Sequence, residues 1–452
     1  ELLRDADPSP LLDVERGRLA LFRGDCDAAV AALGRPELEQ DDAAAELLGV
    51  AKGCARGTAA TLVVRDAERD VVVRLGDDED RPLVPLIVDA AERTRDALKR
   101  DLGARLPSPI FIELVRDQFT LAAMTGLPER AAKTTGTIGI AKFGRVFLVS
   151  PRAAPRGYPW LDTLAHELTH IALSLATLDR APLWLQEGIA KREETRWREP
   201  LPLDDVPPAS AVAAYGMKRG LGRALDGLGP SVAMLPSPEE ATVVFAQVSS
   251  FIDFWAAEVG EDGLPKLLEA IREAPLRSDV DEALTAVSGA SLGEWERRWR
   301  ERLGRDEHPL PPELRPGSTP PHAREIGRRV RLGELLLDRG HADVAAEQLE
   351  RAFELAPALA PVRCPLASAY LELGDHPSAA LLVEHPTDLH QSSARWWSLH
   401  DLLFDDQPRA RTVALSLDPL DPQVACEERF PPDLPADPLL RPLCESARRW
   451  PR

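Results

Sequence analysis

Asp162-Thr-Leu-Ala-His166-Glu167-Leu-Thr-His170-Ile-Ala-Leu-Ser-Leu175, followed after a short loop by Leu183-Trp-Leu-Gln-Glu187-Gly-Ile-Ala190, is the stretch on which the rest depends. Pro159 suits the first turn of a helix, where a missing amide costs nothing. At 100° per residue, Leu161, Leu164, Leu168, Ile171, Ala172 and Leu175 form one apolar stripe, predicting a helix from Pro159 to about Leu175. His166 and His170 then sit one turn apart on nearly the opposite side. Two imidazoles so placed can reach one cation, while Glu167 is rotated away, suited to a metal-bound water rather than the metal. A bare pair of solvent-facing histidines opposite a core stripe has the same spacing.

Working outward, the period changes from helical to alternating. Thr61–Arg65 and Asp70–Leu75 are β-branched runs around a polar turn, predicting a hairpin. Val84 to Leu102 reads as an amphipathic helix ending at Gly103. Pro109–Val115 reads as a third strand. Thr137–Ala141 and Arg145–Val149 flank Lys142-Phe143-Gly144 as a second hairpin. From Trp160 to Leu303 the pattern is mainly helical. There Phe251, Phe254, Trp255, Leu264, Leu267 and Leu268 are core candidates, and Trp295 and Trp299 are set to dock one helix.

The ends carry another signal. In the first 57 residues Gly17, Gly24 and Ala29 are spaced as in a helical hairpin with Gly24 at the turn. After Pro309–Pro321, small residues fall at Gly333, Gly340, Ala345 and Ala352 from a start at Ile326, with Pro357 closing the unit. From Ala360 the same offsets give Ala367, Tyr370, Gly374 and Ala379. This period resembles the tetratricopeptide repeat, whose small residues let paired helices approach closely. The tail beyond His385 is degenerate and suits a cap.

With 452 residues the chain exceeds one ordinary core, and 41 prolines gather in joints at Pro200–Pro208, Pro309–Pro321 and Pro431–Pro442. A net charge of −19 disfavours nucleic acid as a partner. No run approaches the ~20 apolar residues of a transmembrane helix. Five scattered cysteines, Cys26, Cys54, Cys364, Cys426 and Cys444, offer no thiolate zinc pattern and no disulfide framework, although Cys426 and Cys444 could pair.

Taken together, His166-Glu-Leu-Thr-His170 and Trp184-Leu-Gln-Glu187-Gly-Ile-Ala190 resemble the gluzincin metallopeptidases, the broad class of thermolysin and aminopeptidase N. More narrowly they look like the bacterial peptidase MA-like group, which often carries tetratricopeptide repeats. The resemblance covers about residues 60–305. It implies an α+β fold, with a small sheet, an active-site helix and a helical subdomain, flanked by all-α repeats. It also implies a single zinc ion held by His166, His170 and Glu187. Two imidazoles and one carboxylate would leave that zinc a net positive charge and a fourth position for water. Glu167 would take the water's proton and deliver it to the leaving amine. Asp162, one turn before His166, and Glu194, seven past Glu187, are candidates to orient the histidines; each is otherwise a surface acid.

The match departs from the family in two places. Gluzincins usually supply a Tyr or His to the developing oxyanion, and Phe245 occupies what looks like that place. Tyr215 is the substitute candidate, or else a packing residue. The Gly-Ala-Met-Glu-Asn element that holds a substrate's amine in aminopeptidases is also absent, so N-terminal exopeptidase action is not implied. Thr137–Ala141 or Arg145–Val149, whichever lies at a sheet edge, could pair with an extended substrate. Leu201 to Pro238 reads as a lid or a long surface loop.

The expected organisation is therefore a helical repeat-like segment over 1–57, a zinc peptidase domain over 58–305, a proline-rich linker over 306–325 and helical repeats over 326–452. The expected activity is zinc-dependent endopeptidase action on peptide or protein substrates, with the repeats docking a protein partner. The alternative is an interaction scaffold whose peptidase-like domain is inactive. The chain opens at Glu1, which fits an exported protein whose signal has been removed; the alternative is the cytoplasm.

Overall fold

A computed structural model of the chain describes residues 9–128, 136–154, 157–200, 204, 207–229, 231–275, 279–306, 310, 315–317, 322–384, 393–404, 409–426 and 438–449. The fold is α+β, mostly helical around a small mixed sheet. It divides into two compact units. One comprises residues 1–153, 161–200 and 220–306; the other comprises 154–160, 201–219 and 307–452.

The first unit is built on five strands: β1 (Leu62–Asp66), β2 (Val71–Leu75), β3 (Ile110–Val115), β4 (Gly139–Lys142) and β5 (Arg145–Val149). Their order is β1-β2-β3-β5-β4. The expected hairpins β1–β2 and β4–β5 are antiparallel, and β2, β3 and β5 run parallel. Parallel neighbours need long crossovers. One is α4 (Val84–Leu102), which ends at Gly103 as its sequence predicts.

α1 (Pro10–Arg23), α2 (Cys26–Leu33), α3 (Asp42–Thr58) and α5 (Gln118–Thr125) cover one face of this sheet. Their Leu21, Leu33, Ala51 and Leu121 share a core with Val115, Phe147 and Val149. The alternate residues Ile112, Leu114, Val146 and Leu148 are buried on the other face. Between β3 and β5 the buried Glu113 accepts from Arg145 Nη1 at 2.9 Å. Such a charge is tolerable inside only because it is paired.

The remaining helices of this unit are α6 (Trp160–Thr177), α7 (Leu183–Glu193), α9 (Pro238–Val259), α10 (Gly263–Glu273), α11 (Val280–Ser288) and α12 (Leu292–Arg305). Phe251, Trp255, Leu264, Leu267 and Leu268 are buried as expected. Trp299 docks α12 through an edge contact with Phe251, and its Nε1 donates to Ser250 at 3.2 Å. The apolar stripe of α6 is buried except at its end, where Leu175 is 49% exposed.

In the second unit α8 (Ala209–Lys218) is followed by α13 (Ala323–Leu337), α14 (Ala342–Leu355), α15 (Ala360–Glu372), α16 (His376–Val383), α17 (Ala394–Phe404), α18 (Arg409–Leu417), α19 (Pro422–Ala425) and α20 (Leu440–Arg449). One small residue of the sequence pattern, Gly333, has a packing role here. A Cβ on Gly333 would lie 2.5 Å from Leu349 Cγ, so only glycine lets α13 and α14 close. In the other unit a Cβ on Gly17 would lie 2.4 Å from Leu33 Cγ. Leu33 follows Gly17 by the same interval that separates Leu349 from Gly333, so the hairpins α1–α2 and α13–α14 are packed alike.

Most of the proline-rich stretch 306–325, and part of the stretch Leu201–Pro238, lie outside the described residues. Among the described residues no single helix is long and apolar enough to cross a membrane. The cysteines correct the reading made from their scatter. Cys26 is bonded to Cys54 and Cys426 to Cys444, leaving Cys364 free and buried. Wide spacing in sequence concealed the first pair, because the α2–α3 packing brings its members together.

Candidate metal centre

α6 presents His166, Glu167 and His170; α7 presents Gln186 and Glu187, with Glu194 at its C-cap. One nitrogen of each histidine and one oxygen of Glu187 converge. The separations are 3.2 Å between His166 Nε2 and His170 Nε2, 3.4 Å from His166 Nε2 to Glu187 Oε2, and 3.5 Å from His170 Nε2 to the same oxygen. These three residues form a group that could hold a metal ion. A tetrahedral zinc with bonds of about 2.0–2.1 Å places its ligand atoms roughly 3.3 Å apart. The triangle fits that ion.

The far side of each ring explains why the Nε2 atoms turn inward. His166 Nδ1 meets Glu194 Oε2 at 3.2 Å, and His170 Nδ1 meets Gln186 Oε1 at 3.1 Å. With Nδ1–H donating outward, a neutral ring turns its Nε2 lone pair toward the group. Of the two acids expected to orient histidines, the structure brings Glu194 to His166. It gives Asp162 other partners: Arg198 Nη2 at 2.7 Å and Nε at 2.9 Å, and Trp197 Nε1 at 2.9 Å. Asp162 therefore ties the chain after α7 back to the start of α6. Gln186 was missed. Its one signal is its position beside Glu187, on the α7 turn that faces α6.

The centre is largely shielded from solvent: His166 and Glu167 are each 8% exposed, and the side chains of His170 and Glu187 are 18% and 13% exposed. Burial works against the charged imidazole of His166, but hydrogen bonds to Glu187 and Glu194 outweigh it and push its pKa up to about 10. Burial also opposes charge on Glu187, yet the two imidazoles hold its carboxyl far below the usual range. Glu167 goes the other way, because burial raises it more than His170 and His166 lower it. A carboxyl raised by burial beside a cation site is suited to accept and release a proton.

Of the two candidate strands, β4 is at the sheet edge and β5 is internal, flanked by β3 and β4. Val149 N–H donates to Ile138 O at 2.9 Å, so by alternation Gly139 and Ala141 turn their backbone groups away from β5. The Ala141 backbone is the least of the influences on the Glu167 carboxyl, lowering it slightly. A Cβ on Gly139 would lie 3.0 Å from Glu167 Oε1. The edge strand thus runs directly along the acid.

Phe245 of α9 lies edge-on to His166, ring centroids 6.4 Å apart. Phenylalanine there offers no donor. Tyr215 belongs to α8 in the second unit, where its hydroxyl accepts from Arg219 Nη1 at 2.8 Å and Arg315 lies over its ring at 5.8 Å.

Taken together, the first unit is an α+β scaffold carrying a partly buried two-histidine, one-carboxylate group that could hold a metal ion. No family model matches the sequence, and no curated protein matches it. Among solved structures, native yeast LTA4 hydrolase is similar over 86% of this chain, at 11% identity and a TM-score of 0.34. This chain covers 66% of that one, and the likeness is loose.

Proposed function

We propose that the chain is a single-zinc metallopeptidase of gluzincin type, acting within peptide chains. The observation that supports it most is the triangle of His166, His170 and Glu187 ligand atoms with Glu167 buried beside it and against an edge strand. When bound there, zinc supplies Lewis-acid polarisation of a carbonyl and makes an attacking water more acidic. The chain's own residues do the rest. Glu167 accepts the proton of the attacking water and passes it to the leaving amine. The outward backbone groups of β4 hold an extended peptide by strand addition. Glu194 and Gln186 keep both imidazoles in the metal-binding tautomer.

The helical hairpins at the two ends are read as tetratricopeptide-type units that dock a protein partner; their shared glycine packing supports this reading. The two disulfides favour export, because such bonds persist in oxidising compartments.

The test compares Glu167→Gln with wild type on unfolded protein substrates. Both should bind one zinc, and only wild type should cleave. No cleavage by wild type across a broad peptide library would refute the peptidase reading. A second reading, an inactive scaffold, draws support from Phe245, since a gluzincin ordinarily has a donor there. That same outcome, zinc bound and nothing cleaved, would establish it.

A further inference from the structure

Glu187, Lys191 and Glu194 follow one another at intervals of four and three residues, which puts them on one side of α7 and its cap. The first is a metal-ligand candidate, and the last holds His166 Nδ1 through Oε2 at 3.2 Å. Lys191 Nζ is paired with Oε1, the other oxygen of the same Glu194 carboxylate. One carboxylate is therefore divided between an ammonium and an imidazole. The side chains of Lys191 and Glu194 are only 34% and 21% exposed, so water screens the arrangement incompletely.

We propose that Lys191 is a positioning residue that sets the affinity of the centre for its metal, by drawing off part of the charge that Glu194 would otherwise press onto His166. The inference rests on the zinc reading above. A carboxylate accepting from Nδ1–H makes the opposite nitrogen a better donor to a cation. An ammonium on the carboxylate's second oxygen weakens that effect. The charges point the same way. Glu167, Glu187 and Glu194 bring three carboxylates around one divalent ion, and Lys191 supplies the third positive charge. Without it the group would hold zinc more tightly and exchange it more slowly.

The experiment measures zinc affinity of the full-length chain by competition with a chromophoric chelator. Lys191→Met keeps the aliphatic stem and removes the charge, and should bind zinc roughly tenfold more tightly, the lower end of the effect of changing a histidine's outer partner. Lys191→Arg should restore the wild-type value. Glu194→Gln should weaken binding by about 10–100-fold, and in that background Lys191→Met should have no effect. Unchanged or weaker binding in Lys191→Met overturns the proposal. So does an effect of equal size with and without the Glu194 charge, because a lysine that merely braces α7 would act independently of it. A wild type that takes up no zinc refutes the metal reading and this inference together. A wild type that binds one equivalent while Lys191→Met binds no tighter refutes this inference alone.

Discussion

Replacing Gly139 by alanine probes how closely the edge strand is fitted to Glu167. The backbone at Gly139 is extended, not left-handed, so alanine meets no conformational objection there and only contacts matter. Its Cβ would lie 2.9 Å from Thr163 Cγ2, 3.0 Å from Glu167 Cγ and 3.0 Å from Glu167 Oε1. Unstrained carbon contacts lie at about 3.5–4.0 Å, so something must yield by roughly half an ångström. Either β4 retreats from α6, straining its pairing of Gly139 with Leu148 and Ile140 with Phe147, or the Glu167 side chain swings. Overpacking of this kind costs about 1–3 kcal/mol. The lost backbone freedom of the unfolded chain returns about 0.4–1 kcal/mol. A net loss of about 1–2 kcal/mol should lower Tm by roughly 2–8 °C for a unit of this size. Turnover should suffer more than stability, because a misplacement of about 1 Å costs up to ~100-fold; about tenfold is expected here. Zinc content should not change, since His166, His170 and Glu187 do not meet the new methyl. Adding Thr163→Ser removes one of the two collisions and should recover most of the Tm while turnover stays low. Wild-type turnover in Gly139→Ala would refute the claim that β4 sets the position of Glu167.

Three further outcomes are expected. Gln186→Leu removes the acceptor of His170 Nδ1 and should weaken zinc binding by about 10–100-fold, measured by chelator competition; undiminished affinity would deny Gln186 its orienting role. Phe245→Tyr places a phenol at the edge of His166 and should raise kcat at least roughly tenfold, given that one oxyanion donor is worth about 100–1,000-fold; equal or lower kcat would mean that position 245 does not face the reacting carbonyl. Glu193 is buried, and its nearest arginine nitrogens, on Arg192 and Arg196, stand at 3.8 and 3.7 Å, so burial and the neighbouring Asp101 push its pKa up to about 8. Unfolding releases it to its ordinary value near 4.5. Between those values the folded chain binds the extra proton, so stability falls as pH rises from about 4.5 to about 8. Glu193→Gln should match wild type near pH 5 and melt several degrees higher near pH 8; parallel Tm profiles would refute this.

What could be read from the chain alone followed the range over which each constraint acts. Strand pairs joined by tight turns and the end of α4 at Gly103 are set within a few dozen residues, and both were legible. The two histidines on α6 were legible for the same reason, since one helical turn fixes their spacing. Glu187 was reachable only through resemblance, because no local rule relates α7 to α6. The outer partners divided on that ground too. Asp162 sits one turn from His166, and local spacing favoured it, but a bidentate contact with Arg198 holds the carboxylate more strongly than a single imidazole N–H could. Glu194 lies far along the chain and reaches His166 only because α7 packs across α6. Which strand is the edge was equally hidden, for a hairpin does not disclose which of its arms a third strand will take. β3 takes β5, leaving β4 against Glu167. Local spacing can therefore nominate a metal's ligands, while the groups that tune them, Gln186, Lys191 and Glu194, depend on helix packing. Those are the positions where two chains sharing the same ligands should differ most in metal affinity.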